Sequence, residues 1–531
     1  MFIAYQKQRG IEYARLMESV RVDGCVKKKS GPNLGRVLDK ERGIYQSKER
    51  GIFTFDLATN TYGKPPQSYV SNVRRKNARE KLIVDYGDAF LFDSLLDKFG
   101  LRQALQSLGY GNPDSLGALL LYYILQKRSN LHAATWYEGS FARILYPKAN
   151  LTSQRISDLL ESIGKEDNMR AFFNAYLSVL KAKDEGKENA GILIDSTGLP
   201  NGIHFPLTAV SNHNGVISEE VRLIYVVQQN TRLPIYMRYV PGNIVDTTTL
   251  ITTLKELKAH GVSTKFAILD AGYMTAEGVK HLYDDGISFI TRCPTNRSIY
   301  RQALTAGLKD LEAPENVATD ESGRLFNGRQ VYIKCVPIES DGMKLYAYVG
   351  RDKSMQEQER QRAVSEQAHS KKPLNKQAFH EKMDEHGVFV LVSSRRIRAD
   401  KLLSLYYVRQ DIEQVFDVSK NYASLLPLNV EKEETFRGHL LMTFIATVLL
   451  QMLQNEIRQS PFSLDRILAR MQTQKAKVYE NVVIPSEPVK EHNEIYKLLR
   501  IKPLKEHTRV CNFLWAARSR LIDVGGDSVT K

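Results

Sequence analysis

Hydrophobic and polar positions change period several times along the chain. Residues 18–27, Glu-Ser-Val-Arg-Val-Asp-Gly-Cys-Val-Lys, alternate on either side of Asp23-Gly24. That dipeptide supplies the positive φ angles of a two-residue turn, so the segment predicts two short strands in a hairpin. From about residue 85 to 183 the period becomes helical, with apolar residues three and four apart over 116–125 and 151–163. Thr152 or Ser153 is placed to cap the second of these helices. Gln154 and Arg155 near its start would suit a helix-turn-helix reader, but an ordinary helical bundle accounts for the pattern more simply.

The middle of the chain turns to short apolar runs. Ala190-Gly-Ile-Leu-Ile-Asp195 reads as a strand ending in an acid, and residues 221–228 and 233–240 as two strands around a polar turn. A helix opening at Asp246 runs to about residue 260, and Phe266-Ala-Ile-Leu-Asp270 is a fourth strand, again ending in an acid. Residues 275–283 are helical and 287–293 form a fifth strand. Strand, two-strand hairpin, helix, strand, helix, strand is the element order of a ribonuclease H-like α/β core. Residues 297–386 interrupt it with paired strands at 331–337 and 344–349 and a charged helical arm over 351–383, broken at Pro373. A strand then resumes at 387–393, followed by one long helix over 400–420, a buried helix over 434–457 and a helical tail from Ser460.

Composition narrows the classes. The chain has 531 residues, with 75 Lys and Arg against 60 Asp and Glu, a formal charge of +15. Residues 1–90 hold 18 cations and 10 acids, so +8 of that charge lies in the first sixth. Lys27, Lys28 and Lys29 form one cluster and Arg74, Arg75 and Lys76 another. Each reads equally as a solvated face or as a DNA contact. Four scattered cysteines, Cys25, Cys293, Cys335 and Cys511, exclude a zinc ribbon and a disulfide scaffold and fit a reducing cytoplasm. The longest apolar stretch, residues 440–453, is 14 residues long, against the ~20 needed for a span, so a buried helix and no membrane association are expected.

The chemistry concentrates in three acids. Asp195 and Asp270 end adjacent-looking strands, where open α/β sheets bind ligands. Either alone reads better as a turn or helix cap. Glu413 adds a third, inside the helix after the last strand. Converging carboxylates without cysteine ligands suit hard ions such as Mg²⁺ or Mn²⁺. Two such ions about 3.5–4 Å apart serve phosphoryl transfer. On a regular helix Tyr406, Arg409, Glu413 and Lys420 fall within roughly 60° of one another, which presents an acid flanked by two cations and a phenol. The bland alternative is a surface ion pair between Arg409 and Glu413.

Tyr406-x2-Arg409-x3-Glu413-x6-Lys420 resembles the YREK signature of the IS4-type DDE transposases at all four positions. Ile194-Asp195-Ser-Thr-Gly, Pro241-Gly242-Asn243 with Asp246, and Leu269-Asp270-Ala-Gly-Tyr273 are similar to other blocks of that family, and the N-terminal block ending Asn33-Leu-Gly-Arg resembles the IS1634 group. The resemblance implies an α/β chain with an RNase H-like catalytic core (a mixed sheet flanked by helices) and a largely β insertion. It also implies a bacterial or archaeal cytoplasmic enzyme that cleaves double-stranded DNA at the inverted repeats of a mobile element and joins the freed 3′-OH to target DNA. Asp195, Asp270 and Glu413 would hold two Mg²⁺ or Mn²⁺ ions, and Tyr406, Arg409 and Lys420 would contact backbone phosphates. A homodimer would assemble on DNA. The expected division is a basic β-rich region (1–84) and a helical region (85–185), both for DNA contact. The core (186–296 and 387–458) is split by the insertion (297–386), and the tail (459–531) is available for dimerisation. Relatives that stack a flipped base on a tryptophan of the insertion differ from this chain, whose tryptophans are Trp136 and Trp515; Tyr332, Tyr346 or Tyr348 would have to serve. Alternatives are a metal-dependent DNA nuclease without strand transfer and an inactive transposase-derived DNA-binding protein. A phosphatase would usually want Asp-x-Asp, where Ser196 and Thr197 follow Asp195.

Overall fold

The computed structural model describes residues 1–8, 11–22, 25–47, 50–64, 82–183, 191–200, 207–213, 216–244, 246–320, 322–369, 377, 379, 383–426, 428, 430, 432–479, 482–504 and 508–509. The Arg74-Arg75-Lys76 cluster, the Asp23-Gly24 turn, Pro373, Cys511 and Trp515 lie outside them. The chain divides into two compact units, Met1–Leu82 with Lys477–Val482, and Ile83–Ala476 with Val483–Lys531.

The first unit contains a six-stranded antiparallel sheet in chain order: β1 (Phe2–Gln8), β2 (Ile11–Val22), β3 (Cys25–Asp39), β4 (Ile44–Ser47), β5 (Gly51–Asp56) and β6 (Thr61–Gly63). Alternation in β2 and β5 turns Ala14, Leu16, Phe53 and Phe55 inward onto Leu34 and Tyr45, which makes a small core. The Leu34-Gly35 pair of the N-terminal block has a physical reason. Gly35 sits at φ +85°, and a Cβ there would collide with the Gln46 carbonyl oxygen of β4. The Asn33 side chain accepts a hydrogen bond from the Gly35 amide at 2.9 Å and holds that irregular turn of the strand.

The second unit is built on a nine-stranded mixed sheet. Its strands are β7 (Ile192–Pro200), β8 (Ala209–His213), β9 (Val216–Gln228), β10 (Pro234–Pro241), β11 (Phe266–Leu269), β12 (Ser288–Arg292), β13 (Val331–Ser340), β14 (Met343–Asp352) and β15 (Val388–Ser393). The spatial order is β10-β9-β7-β11-β12-β15-β14-β13, with β8 beside β9. β7, β11 and β12 run parallel, and every other pairing is antiparallel. The two strands expected between residues 297 and 386 pair as the alternation suggests. They extend the same sheet through β15 rather than making a sheet of their own, because Ala347, Val349, Val390 and Val392 are all buried there.

Helices cover this sheet. Those before it include α1 (Gly87–Lys98), α2 (Pro113–Leu125), α3 (Ser153–Ile163) and α4 (Glu166–Lys183). Those after it include α5 (Ala399–Tyr407), α6 (Gln410–Tyr422) and α7 (Glu433–Ile457). The single helix expected over 400–420 is two. At the junction Arg409, Asp411 and Ile412 donate to the carbonyls of Tyr406, Val408 and Arg409, an i→i−3 pattern that tightens one turn. α7 is long and apolar enough to span a membrane, but 94% of that window is buried inside the protein. It packs against α2, α3, α6 and β10, so the helical region from residue 85 shares one unit with the sheet. α3 is a member of this packing: Arg155 and Gln154 are bonded at 3.0 Å to Asp158 of their own helix.

The α3–α7 crossing is backbone against backbone. A Cβ at Gly438 would collide with the Leu160 carbonyl oxygen, and one at Gly164 with that of Glu434. Gly438→Ala should therefore cost about 1–3 kcal/mol as overpacking, read as a lower urea midpoint; an unchanged midpoint would mean that the helices separate freely. In the same packing His439 is buried between the Tyr123 hydroxyl, which donates to Nδ1 at 2.8 Å, and the Leu425 carbonyl, which accepts from Nε2 at 3.2 Å. Burial lowers its pKa below the usual 6.5, against the raising effect of the Leu425 carbonyl. The unfolded chain then binds the proton more readily, so this contribution is complete above about pH 6.5 and is lost as pH falls below it. Urea unfolding at pH 7.5 and 5.5 should show that loss, and His439→Gln should flatten it.

Candidate active site

β7 and β11 are adjacent parallel strands with Ile194 opposite Leu269. Asp195 is the next residue of β7, which does not end at the acid as expected but continues to Pro200 because residues 196–200 stay paired with β9; Asp270 directly follows the end of β11. Register therefore sets the two acids side by side, on strands about 4.8 Å apart. Neither carboxylate is absorbed by a helix cap. Asp270 precedes the short turn Ala271–Tyr273 without a side-chain cap bond, and its carbonyl is held by the Thr291 hydroxyl at 3.1 Å. Asp195 Oδ1 accepts from the Ser196 amide at 2.8 Å, which leaves Oδ2 facing the site.

α6 brings the third acid. Asp195 lies opposite Tyr225 of β9, so the two share a face of the sheet. Phe416 stacks on Tyr225 with ring centroids 5.1 Å apart and planes 7° from parallel. The Ser419 hydroxyl donates to the Tyr225 hydroxyl at 3.2 Å and meets Thr447 of α7 at 2.9 Å. With the helix pinned there, Glu413 and Lys420 fall one turn to either side of Phe416. Lys420 Nζ donates to Thr197 Oγ1 at 2.7 Å, two residues along β7 from Asp195 on the same face.

Arg409 joins the three acids. Nη1 stands 3.1 Å from Asp195 Oδ2 and 3.2 Å from Asp270 Oδ1, and Nη2 stands 3.3 Å from Glu413 Oε1. The Arg409–Glu413 pair expected of any helix surface is present, but the same guanidinium also spans the aspartates of both strands. Burial works against its charge, yet Asp270, Asp195 and Glu413 carry its pKa above the ordinary arginine value. Exposure grades across the acids, 14% for Asp195, 39% for Asp270 and 56% for Glu413, so the site opens on the side of the helix. Tyr406 is buried beside them and its pKa rises to about 12, by burial first, with Arg409 and Arg292 pulling it down and Asp270 raising it. Its hydroxyl is a donor at neutral pH.

Of the six residues singled out in the sequence, Asp195, Asp270, Glu413 and Tyr406 therefore gather about Arg409, and Lys420 reaches Thr197, two residues along β7 from Asp195. Arg292, Thr197 and Glu220 are additional. Glu220 is buried, accepts from Ser218 at 3.3 Å and raises the Lys420 pKa against the larger lowering effect of burial. Its one sequence signal is a pair of glutamates, Glu219-Glu220, inside a strand pattern. Of the three tyrosines named for the insertion, Tyr332 and Tyr348 are buried, and the Tyr348 hydroxyl donates to the Ile397 carbonyl at 3.0 Å, while Tyr346 of β14 is half-buried.

The donor set is oxygen only, and it already gathers around a cationic group, which fits a hard divalent ion in charge and chemistry. Among the described residues no three His, Cys, Asp or Glu side chains stand at metal-ligating spacing, because the acids are arranged around the guanidinium.

Residues 187–449 match the family model for the transposase DDE domain. Among solved structures the chain is similar to the piggyBac transposase in its synaptic complex with hairpin DNA. The two share 11% sequence identity and a TM-score of 0.36, over 83% of this chain and 87% of that one. No curated protein matches the sequence.

Proposed function

We propose that this protein is the transposase of an insertion sequence of the IS4-like superfamily, with an RNase H-like catalytic core. It binds the ends of its element, cleaves DNA there and joins the freed 3′ end to target DNA. The observation that carries this reading is the gathering of Asp195 from within β7, Asp270 from the end of β11 and Glu413 from α6 around one guanidinium. A transposase DDE domain over the same residues supports it.

In this reading Asp195, Asp270 and Glu413 hold two Mg²⁺ or Mn²⁺ ions, which when bound activate the attacking oxygen and stabilise the leaving one. The remaining groups position DNA. Arg409 offers a planar fork to a phosphate. Lys420, one turn beyond Phe416, contacts the next stretch of backbone. Tyr406, protonated at neutral pH, donates to a phosphate oxygen. Joining two element ends requires two copies of the chain.

The test is cleavage and joining on DNA that carries the flanks of the protein's own gene, with Mg²⁺ or Mn²⁺. Cuts at both flanks with joined products support a transposase; nicking without joining would assign a nuclease, and binding without cutting an inactive relative. Lys420→Ala should lower the salt dependence of end binding by about one unit of slope. An unchanged slope would remove Lys420 from the phosphate contacts.

A further inference from the structure

The first unit contains a part that its core does not explain. β1 pairs with β2 from Gln8↔Ile11 to Phe2↔Met17 and ends there. β4 pairs with β3 only between residues 36 and 39. Between those limits β2 and β3 continue as a two-stranded ribbon, Glu18↔Lys29, Ser19↔Lys28, Val20↔Lys27, Arg21↔Val26 and Val22↔Cys25, with no third strand on either edge among the described residues. Five pairs make an arm about 17 Å long.

The arm buries no core. Residues 18–21 and 26–30 are all exposed, including Val20 at 37% and Val26 at 62%. A two-stranded ribbon without a packed face is marginal by itself. Its charge is one-sided in sign but not in direction. Residues paired across the ribbon share a face, so Lys27 and Lys29 lie on one face and Arg21 and Lys28 on the other, with Glu18 the one acid among the described residues of the arm. Lys28 also lies 5.8 Å from the Phe2 ring at the base of the arm. Lysines on a free edge strand also deter edge-to-edge aggregation. That role needs a charge or two on the edge and gives no reason for cations on both strands and both faces.

From this ribbon we infer a DNA-binding arm: residues 18–22 and 25–30 enter the major groove of duplex DNA, with Arg21, Lys27, Lys28 and Lys29 reaching the phosphates of the two strands that wall it. The major groove is about 12 Å wide and admits a two-stranded β-ribbon. Cations on both faces match a groove with anionic walls on both sides. The inference rests on the reading of the chain as a DNA transposase and names an element of the first unit that would hold the DNA.

The experiment compares the full-length wild type with K27A/K28A/K29A and with K27R/K28R/K29R. Binding is measured by fluorescence anisotropy from 50 to 200 mM salt, on a duplex with the flanks of the protein's own gene and on an unrelated duplex of equal length. The alanine variant should lower the slope of log K against log salt by about 2.7, which across that range is about 40-fold in affinity. The arginine variant should keep the wild-type slope, which a folding defect would not. Loss on both duplexes assigns the arm to backbone in general, and loss on the flank duplex alone to the element end. Wild-type binding with an unchanged slope in the alanine variant, even with aggregation, overturns the arm and leaves the proposed function standing. Failure of the wild type to bind either duplex overturns both.

Discussion

Glu413→Gln is expected to bind element-end DNA within a few-fold of wild type while its cleavage rate falls by about 10³-fold or more, equal to about 4 kcal/mol of barrier. The substitution keeps the shape and the hydrogen-bonding reach of the side chain, and removes the charge that a divalent ion requires. Glu413 is 56% exposed and contributes nothing to the core that α6 forms with Tyr225, so loss of fold is not an available explanation. Single-turnover cleavage and anisotropy on the same duplex check both halves of the result. Full residual cleavage would remove Glu413 from the chemistry and leave its pair with Arg409 as an ordinary helix contact.

Arg409→Ala should have the second large effect, and in two directions. Arg409 reaches all three acids, at 3.1, 3.2 and 3.3 Å. Without it the carboxylates lose the counter-charge they share and repel one another more strongly, and a divalent ion becomes a better partner for them. Mn²⁺ affinity, measured by titration calorimetry without DNA, should rise by about tenfold, a change of about 1.4 kcal/mol. Cleavage should fall by about 10²-fold or more, because the fork that engages phosphate is gone. Arg409→Lys should recover little of the cleavage, since an ammonium cannot span the same three oxygens. Weaker Mn²⁺ binding in the alanine variant would mean that the guanidinium organises the acids for the ion rather than competing with it.

Much of this site can be read from local pattern. Asp195 and Asp270 stand at the ends of short apolar runs, which marks both as strand-borne acids; β11 does end at Leu269, but β7 runs on past Asp195 to Pro200, through Ser-Thr-Gly residues whose pattern gives no sign of a strand. The side-by-side placement of the two acids depends on the register Ile194↔Leu269, a long-range pairing that periodicity does not encode. The break at Val408–Arg409 was equally hidden. No glycine or proline marks it, and both residues keep helical φ and ψ, so only the switch to i→i−3 bonds shows it. Strands 331–340 and 343–352 are legible from alternation, but their joining to the nine-stranded sheet comes from the buried valines of β14 and β15. In the first unit two strands can be read around Asp23-Gly24, while the other four are short and their core residues scattered. Glu220 escaped because a buried acid in a strand has no local signature; its burial is a property of the neighbours at Gly198 and Gly242.

The pinning of α6 sets an order on the birth of the molecule. Both aspartates are synthesised by residue 270, but Glu413 is placed only when Phe416 reaches Tyr225 and Ser419 reaches Thr447, and Thr447 lies inside the buried helix that ends at Ile457. A chain still emerging from the ribosome therefore carries two of its acids and no complete triad until more than four-fifths of it has been made. The gathering of the three acids is completed late and all at once, after the segments that precede α6 have had time to fold.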